Sequence, residues 1–274
     1  MIGDLKIIGK QAERHARAYA DRWLMQSAAV PRLLETHLPR IFTAWAVLMA
    51  LLCSFKVMTS PTPAQSIGTL AQLVLPYVLV TAAPLAGYFL ARGAFPKGAE
   101  THQPQSRLAL LGKWKPMDLS GARRDRAYGP SGIVATILVG LLLNILIRTA
   151  EFSVAVPALN SQAPEWGQWL MLAMTADLVI LNFFYMVCFA MALKGVPLFP
   201  RMLVFTWLLD LQMQLAIAKF VSLVPPPETV ASALVTLLGG NVQKVLLSMC
   251  IWLPILILSR RINVTYRHRE PASA

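Results

Sequence analysis

RMLVFTWLLDLQMQLAIAKFVSLV, residues Arg201 to Val224, is long and apolar enough to cross a bilayer, yet it carries Asp210, Gln212, Gln214 and Lys219. On insertion scales an Asp or Lys at the centre of a membrane helix costs about 2.5 to 3.5 kcal/mol, so such side chains turn toward other helices, a cavity or each other. The rest of the chain is therefore expected to supply their partners. Its composition fits that expectation. Of the 274 residues, 56% are hydrophobic and 14% charged, whereas soluble domains carry about 25% charged residues.

About twenty largely apolar residues span the hydrocarbon core as a helix, and six stretches meet that rule. They run near residues 40–59, 68–91, 132–156, 168–193, 202–224 and 241–259. Pro76 and Pro84 predict a kink in the second. Thr229 to Leu238 is apolar but ends at Gly239-Gly240, so it is read either as a half-helix on the outer face or as an extension of the sixth span. Pro31 and Pro39 are expected to interrupt helical continuity before the first.

The formal charge of +12 raises the question of nucleic acid, and its placement answers it. Of 25 Lys and Arg, 21 fall in residues 1–40, the 92–126 loop, the Lys194 to Arg201 turn and the tail after Ser259. The intervening loops around 61–65, 157–166 and 225–228 have none. That alternation is what the positive-inside rule gives for six spans with both termini cytoplasmic, so no nucleic acid is needed. Cys53, Cys188 and Cys250 lie singly in apolar runs and read as reduced packing residues. The first apolar run begins too late for the n-region of a signal peptide, so the amino terminus is expected to be retained.

This gives an all-α polytopic membrane protein in five parts. Residues 1–40 form an amphipathic cytoplasmic segment, with Lys10, Arg14 and Arg17 on one side of a helix and Ile8, Ala12, Tyr19 and Trp23 on another; it lies on an anionic leaflet or in solvent. Residues 41–92 are a two-helix extension, 93–131 a basic loop, 132–261 a four-helix unit and 262–274 a cytoplasmic tail. In the loop, Arg123, Arg124 and Arg126 are candidates for lipid headgroup contact, although topology alone also puts arginines there. Gly129 to Gly132, GPSG, is read as a helix cap. Trp166, Trp169 and Trp252 are read as interfacial anchors or packing residues.

Two segments carry a resemblance. WLPILILSRRINVTYRHR (Trp252 to Arg269) resembles the end of a family of uncharacterised polytopic bacterial inner-membrane proteins, domain of unknown function family 2569. There an aromatic-aliphatic-Pro run leads into Ser, two basic residues and a Thr-aromatic pair. PLFPRMLVFTWLLD (Pro197 to Asp210) is similar to the Phe-Pro-basic start of that family's third span. The resemblance covers about 132–269 and implies a four-span unit in a bacterial inner membrane, but no activity.

The polar side chains inside the spans are the candidate site. At about 1.5 Å per residue, Asp177 and Asp210 fall near mid-membrane, and Arg148, Glu151, Lys219 and Lys244 in the outer third. Asn144, Arg148 and Glu151 share a face of the third span; Thr206, Asp210 and Gln214 share one of the fifth; Asn241, Lys244 and Ser248 share one of the sixth. With Asn182, the proposed network is Asn144, Arg148, Glu151, Asp177, Asn182, Asp210, Gln214, Lys219 and Lys244. The structural reading pairs Arg148 with Glu151 along their own helix, sends Lys219 and Lys244 to the outer headgroups, and gives the aspartates hydrogen bonds from Thr, Asn or Gln. The functional reading gathers them around a cavity for a polar ligand or a proton.

HExxH, a Walker loop and GxSxG are absent, and the four histidines lack ligand spacing. No catalytic residue, metal site or cofactor is assigned, and the chain is read as a non-enzyme. The leading expectation is a bacterial inner-membrane protein binding a partner or lipid in an envelope assembly; the alternative is a small secondary transporter or proton-coupled carrier. The implied partners are the lipid bilayer and either another membrane protein or a second copy.

Overall fold

The computed structural model describes residues 2–95, 103–104, 111–224 and 226–272, with side chains described from Ser27 onward. It contains six helices long and apolar enough to cross a membrane, and the protein is an all-α polytopic membrane protein. The first, α1 (Ile2–Met58), is one helix of 57 residues, about 85 Å long, of which Ser27–Met58 is the apolar portion. Pro31 and Pro39 lie inside it and do not interrupt it, contrary to the sequence expectation. A proline removes one backbone bond, and a helix continues when the freed carbonyl finds another donor. The carbonyls concerned are those of Ser27 and Glu35, four residues before each proline, and the rest of the backbone ladder carries the helix on. The faces expected along residues 8–23 fall on side chains outside the described ones.

The next span, α2 (Ile67–Ala94), starts at a capping box in which Ser66 and Thr69 satisfy each other's backbone N–H groups. Pro76 and Pro84 sit within it. The remaining spans are α4 (Ile133–Ala155), α5 (Glu165–Leu193), α6 (Phe199–Leu223) and α7 (Glu228–Leu258). The last is 31 residues long because Thr229 to Leu238 extends it rather than forming a separate half-helix. Gly239 and Gly240 do not break it.

The core is organised around α5. In its most apolar window 72% of residues are buried, against 11% in α1 and α7. Its closest neighbour is α2, whose Ala83, Gly87 and Ala91 form a buried stripe of small residues four apart. Small residues let membrane helices approach closely. A Cβ added at Gly87 would stand 2.5 Å from the Phe183 carbonyl oxygen of α5. By contrast, α4 and α7 are not among the closely packed pairs, and both pack against other helices.

One end of the bundle is capped by chain from the expected basic loop and tail. Trp114–Pro116 (β1) pairs antiparallel with Arg269–Pro271 (β2), with Trp114 opposite Pro271 and Pro116 opposite Arg269. Between them lie α3 (Leu119–Arg124) and the amphipathic α8 (Arg260–Arg267), whose Tyr266 hydroxyl donates to the Ala192 carbonyl at 2.8 Å. Gly129 N–H donates to Thr265 Oγ1 at 3.0 Å, Arg261 to Ser131, and Gly132 N–H to Ser27 Oγ at 2.9 Å. Thus GPSG does precede α4, but Gly132 lies at the N-cap with φ +62° and no side-chain cap, and its neighbours tie the cap together. At the opposite end Ser60 and Thr62 bond to Ala158 and Asn160. The loops rich in Lys and Arg therefore share one end, and two of the loops lacking them meet at the other.

Candidate functional site

The helix directions decide who meets Arg148. Side chains tilt toward a helix N-terminus, and α4 begins at the capped end. Arg148, about 22 Å along α4, therefore reaches back toward mid-membrane, where the two aspartates lie. Its Nη2 donates to Asp177 Oδ2 of α5 at 2.7 Å. Its Nη1 donates to both carboxylate oxygens of Asp210 of α6, at 3.0 and 2.9 Å. The expected pairing of Arg148 with Glu151 is thus replaced by a bridge between three helices. Arg148, Asp177 and Asp210 are 10%, 6% and 1% exposed.

Three more groups complete the cluster. Tyr185 of α5 donates its hydroxyl to Asp210 Oδ2 at 2.7 Å. Gln214 Nε2 donates to Asp177 Oδ1 at 3.1 Å and to Asp210 Oδ1 at 3.4 Å. Asn241 of α7 donates to Gln214 Oε1 at 3.2 Å, so all four C-terminal spans contribute. A buried charge is tolerated when it is paired and its remaining polar atoms are hydrogen-bonded. One is left over: Arg148 Nε is buried without a hydrogen-bond partner among the described residues.

Beside the cluster lies a cavity of about 280 Å³ between α4, α6 and α7. Arg148 forms part of its wall, together with Asn144, Asn241, Lys244, Ser248 and Glu151 at its polar end. Asp177 and Asp210 are not on that wall; they stand behind the guanidinium. Lys244 pairs with Glu151 across the gap between α7 and α4. Both side chains remain partly exposed.

Of the nine residues proposed from sequence, four (Arg148, Asp177, Asp210, Gln214) meet in the cluster, and three (Asn144, Glu151, Lys244) face the cavity. Two stand apart. Asn182 is fully buried and donates to Thr149 Oγ1 at 3.1 Å instead. Lys219 is on an exposed face of α6, away from the cavity. Thr206, on the Asp210 face, donates its hydroxyl to the Met202 carbonyl. Tyr185 and the cavity wall residues Trp207 and Trp252 were not singled out as site residues. A phenol in a span needs a partner for its hydroxyl, and Tyr185 lies eight residues after Asp177, close to the same helix face; that was the signal available. Arg123 and Arg124 end α3 and are exposed, as is Arg126, while Asp125 between them pairs with Arg260 at 2.8 Å.

In the cap, Asp125 is held below the usual carboxylate range by the Ala127 N–H and by Arg260. Burial, with Arg123 nearby, lowers the His268 imidazole. Burial and the charges of Arg269 and Arg201 bring Arg267 down to about 10. Lys194 donates to the Arg92 and Phe95 carbonyls, and so closes the C-terminus of α2. Compared with known proteins, the chain matches no family model, no curated protein and no solved structure.

Proposed function

We propose that the protein is a small membrane carrier that takes a ligand bearing an ionised group into the cavity between α4, α6 and α7. One observation supports this above the rest: three buried charges from three spans converge on Arg148, which forms part of the wall of a polar-ended cavity. The cluster holds two carboxylates and one guanidinium, so a single proton is the smallest change that makes it neutral, and proton coupling is the natural drive. We place the protein in a bacterial inner membrane with the capped, basic end cytoplasmic, as the distribution of Lys and Arg favours. No group in the cluster is assigned bond-breaking chemistry, and the reading is non-enzymatic.

The test is charge movement on a supported membrane carrying the purified, reconstituted protein. Concentration jumps would be applied for inorganic anions, short carboxylates, amino acids and fatty acids. At least one class gives a transient current that Asp210→Asn abolishes while the protein stays folded and inserted. Silence toward every class refutes the carrier.

A second reading rests on a different surface. An apolar groove of about 770 Å³ runs between α1 and α2, walled by Met49, Val57, Tyr77 and Val78. It favours a component that holds a lipid or a partner's helix in an envelope assembly. In that case function survives Asp210→Asn and fails when Val78→Trp fills the groove.

A further inference from the structure

The cavity is not uniform along its length. On α4 its lining runs from Ile137 to Glu151, about 21 Å. Toward the capped end the wall is Ile137, Gly140, Leu141, Leu203, Trp207 and Trp252; from Asn144 onward polar side chains join Ile147 and Val245. Gly140 presents no side chain, and a Cβ there would meet nothing within 4 Å. The cavity is therefore a slot with an apolar floor and a polar head, its long axis along the membrane normal.

Its polarity is that of a lipid in the leaflet opposite the cap. Arg148 lies about 10 Å from the far end of α4, so the polar end falls in that leaflet's outer part and the apolar end reaches past mid-membrane. Between α4 and α7, which are not closely packed, an ion pair joins Lys244 to Glu151. A side entrance from the bilayer follows from that gap. The head end holds the cation Lys244. Lys244 has three N–H groups and one acid partner, so it can donate to a ligand head as well as to Glu151, and Asn144 and Ser248 can each donate or accept there. The carboxylates that neutralise Arg148 are on its other side. A volume of about 280 Å³ is at the small end for a ligand site, too small for two acyl chains.

Resting on the carrier reading, we propose that the ligand is a single-chain amphiphile with an anionic head. It enters sideways between α4 and α7, its head taken by Lys244 and Arg148 and its chain laid along Gly140 and Trp252.

The test uses the full-length protein in nanodiscs and a fatty acid carrying a diazirine on its chain. Photolysis is expected to give saturable labelling in the α6 and α7 peptides containing Trp207 and Trp252. Unlabelled fatty acid competes, whereas an alkyltrimethylammonium of the same length does not. Lys244→Glu weakens labelling by about tenfold or more. Gly140→Leu, whose added atoms enter open space and leave the unfolding temperature close to wild type, removes it.

Labelling spread without saturation over all lipid-facing helices, or equal competition by the cationic amphiphile, overturns the proposal. Short anions that drive currents while the fatty acid neither binds nor competes would sink the amphiphile and leave the carrier standing. If neither long nor short anions act, both fall.

Discussion

At the scale of single residues, the cluster depends on a guanidinium rather than on a positive charge. Arg148 uses two nitrogens to hold carboxylates on two different helices, at 2.7 to 3.0 Å. A lysine ammonium is a compact charge on a flexible stem and cannot reproduce that fork. Arg148→Lys is therefore expected to lower the unfolding temperature in detergent and to abolish ligand response, despite the unchanged charge. Arg148→Ala, which leaves two carboxylates buried without a counter-ion, costs about 3 to 5 kcal/mol. Asp210→Asn is milder, since the amide oxygen still accepts from Tyr185. A series in which Arg148→Lys matches wild type in both stability and response would remove the fork from the account. The membership of this site was partly legible from sequence, because a charged residue in an apolar span announces itself. The pairing was not. Spacing along one helix places Glu151 three residues from Arg148, but the tilt of side chains toward the N-terminus, combined with the antiparallel run of neighbouring helices, sends Arg148 to α5 and α6 and leaves Glu151 to Lys244.

At the scale of elements, the helices themselves were readable because each must satisfy its own backbone in lipid. Their ends and continuity were less so. The prolines of α1 and the glycine pair of α7 are strong breakers in water, yet both helices run on. The same residue type also has opposite meanings in different helices. Gly87 lies where α2 meets α5, with a carbonyl oxygen 2.5 Å from any added Cβ. Gly239 and Gly240 have nothing within 4 Å. Gly87→Val is expected to push α2 off α5 and cost about 1 to 3 kcal/mol. Gly239→Ala and Gly240→Ala are expected to stabilise by up to about 1 kcal/mol each, through helix propensity. Unfolding of the three variants in the same detergent checks the contrast; a Gly87→Val protein as stable as wild type would mean that α2 and α5 do not approach so closely in the membrane.

At the scale of the whole molecule, the capped end joins segments far apart in the chain: the α1 apolar portion through Ser27, the loop before α4, and the carboxy-terminal α8 and β2. Hydropathy could show that these segments are polar and share a side, but not that they fold together, because a three-residue strand pair leaves no periodic trace. The cap contains two groups whose protonation opposes it. His268 Nδ1 accepts from Gln103 Nε2 at 3.2 Å, while its backbone carbonyl accepts from Met117 N–H at 2.9 Å. Burial lowers its imidazole, and Asp125 is lowered by the Ala127 N–H and Arg260. Both groups bind protons more weakly in the folded cap than in the unfolded chain. Their contribution is complete above the unfolded values, about 6.5 for His and 3.9 for Asp, and is lost as the pH falls through the folded ones. Acidification should therefore loosen the cap in two steps, His268 first. Hydrogen exchange at the Met117 and Ala272 amides, which bond to His268 and Lys113, is expected to lose protection as pH falls below about 6.5, while the α5 core is unchanged. His268→Asn tolerates the left-handed backbone at φ +45° and should remove the first step while keeping the second. Protection that stays flat through both windows would mean that the β1 and β2 pairing holds the cap without help from either group.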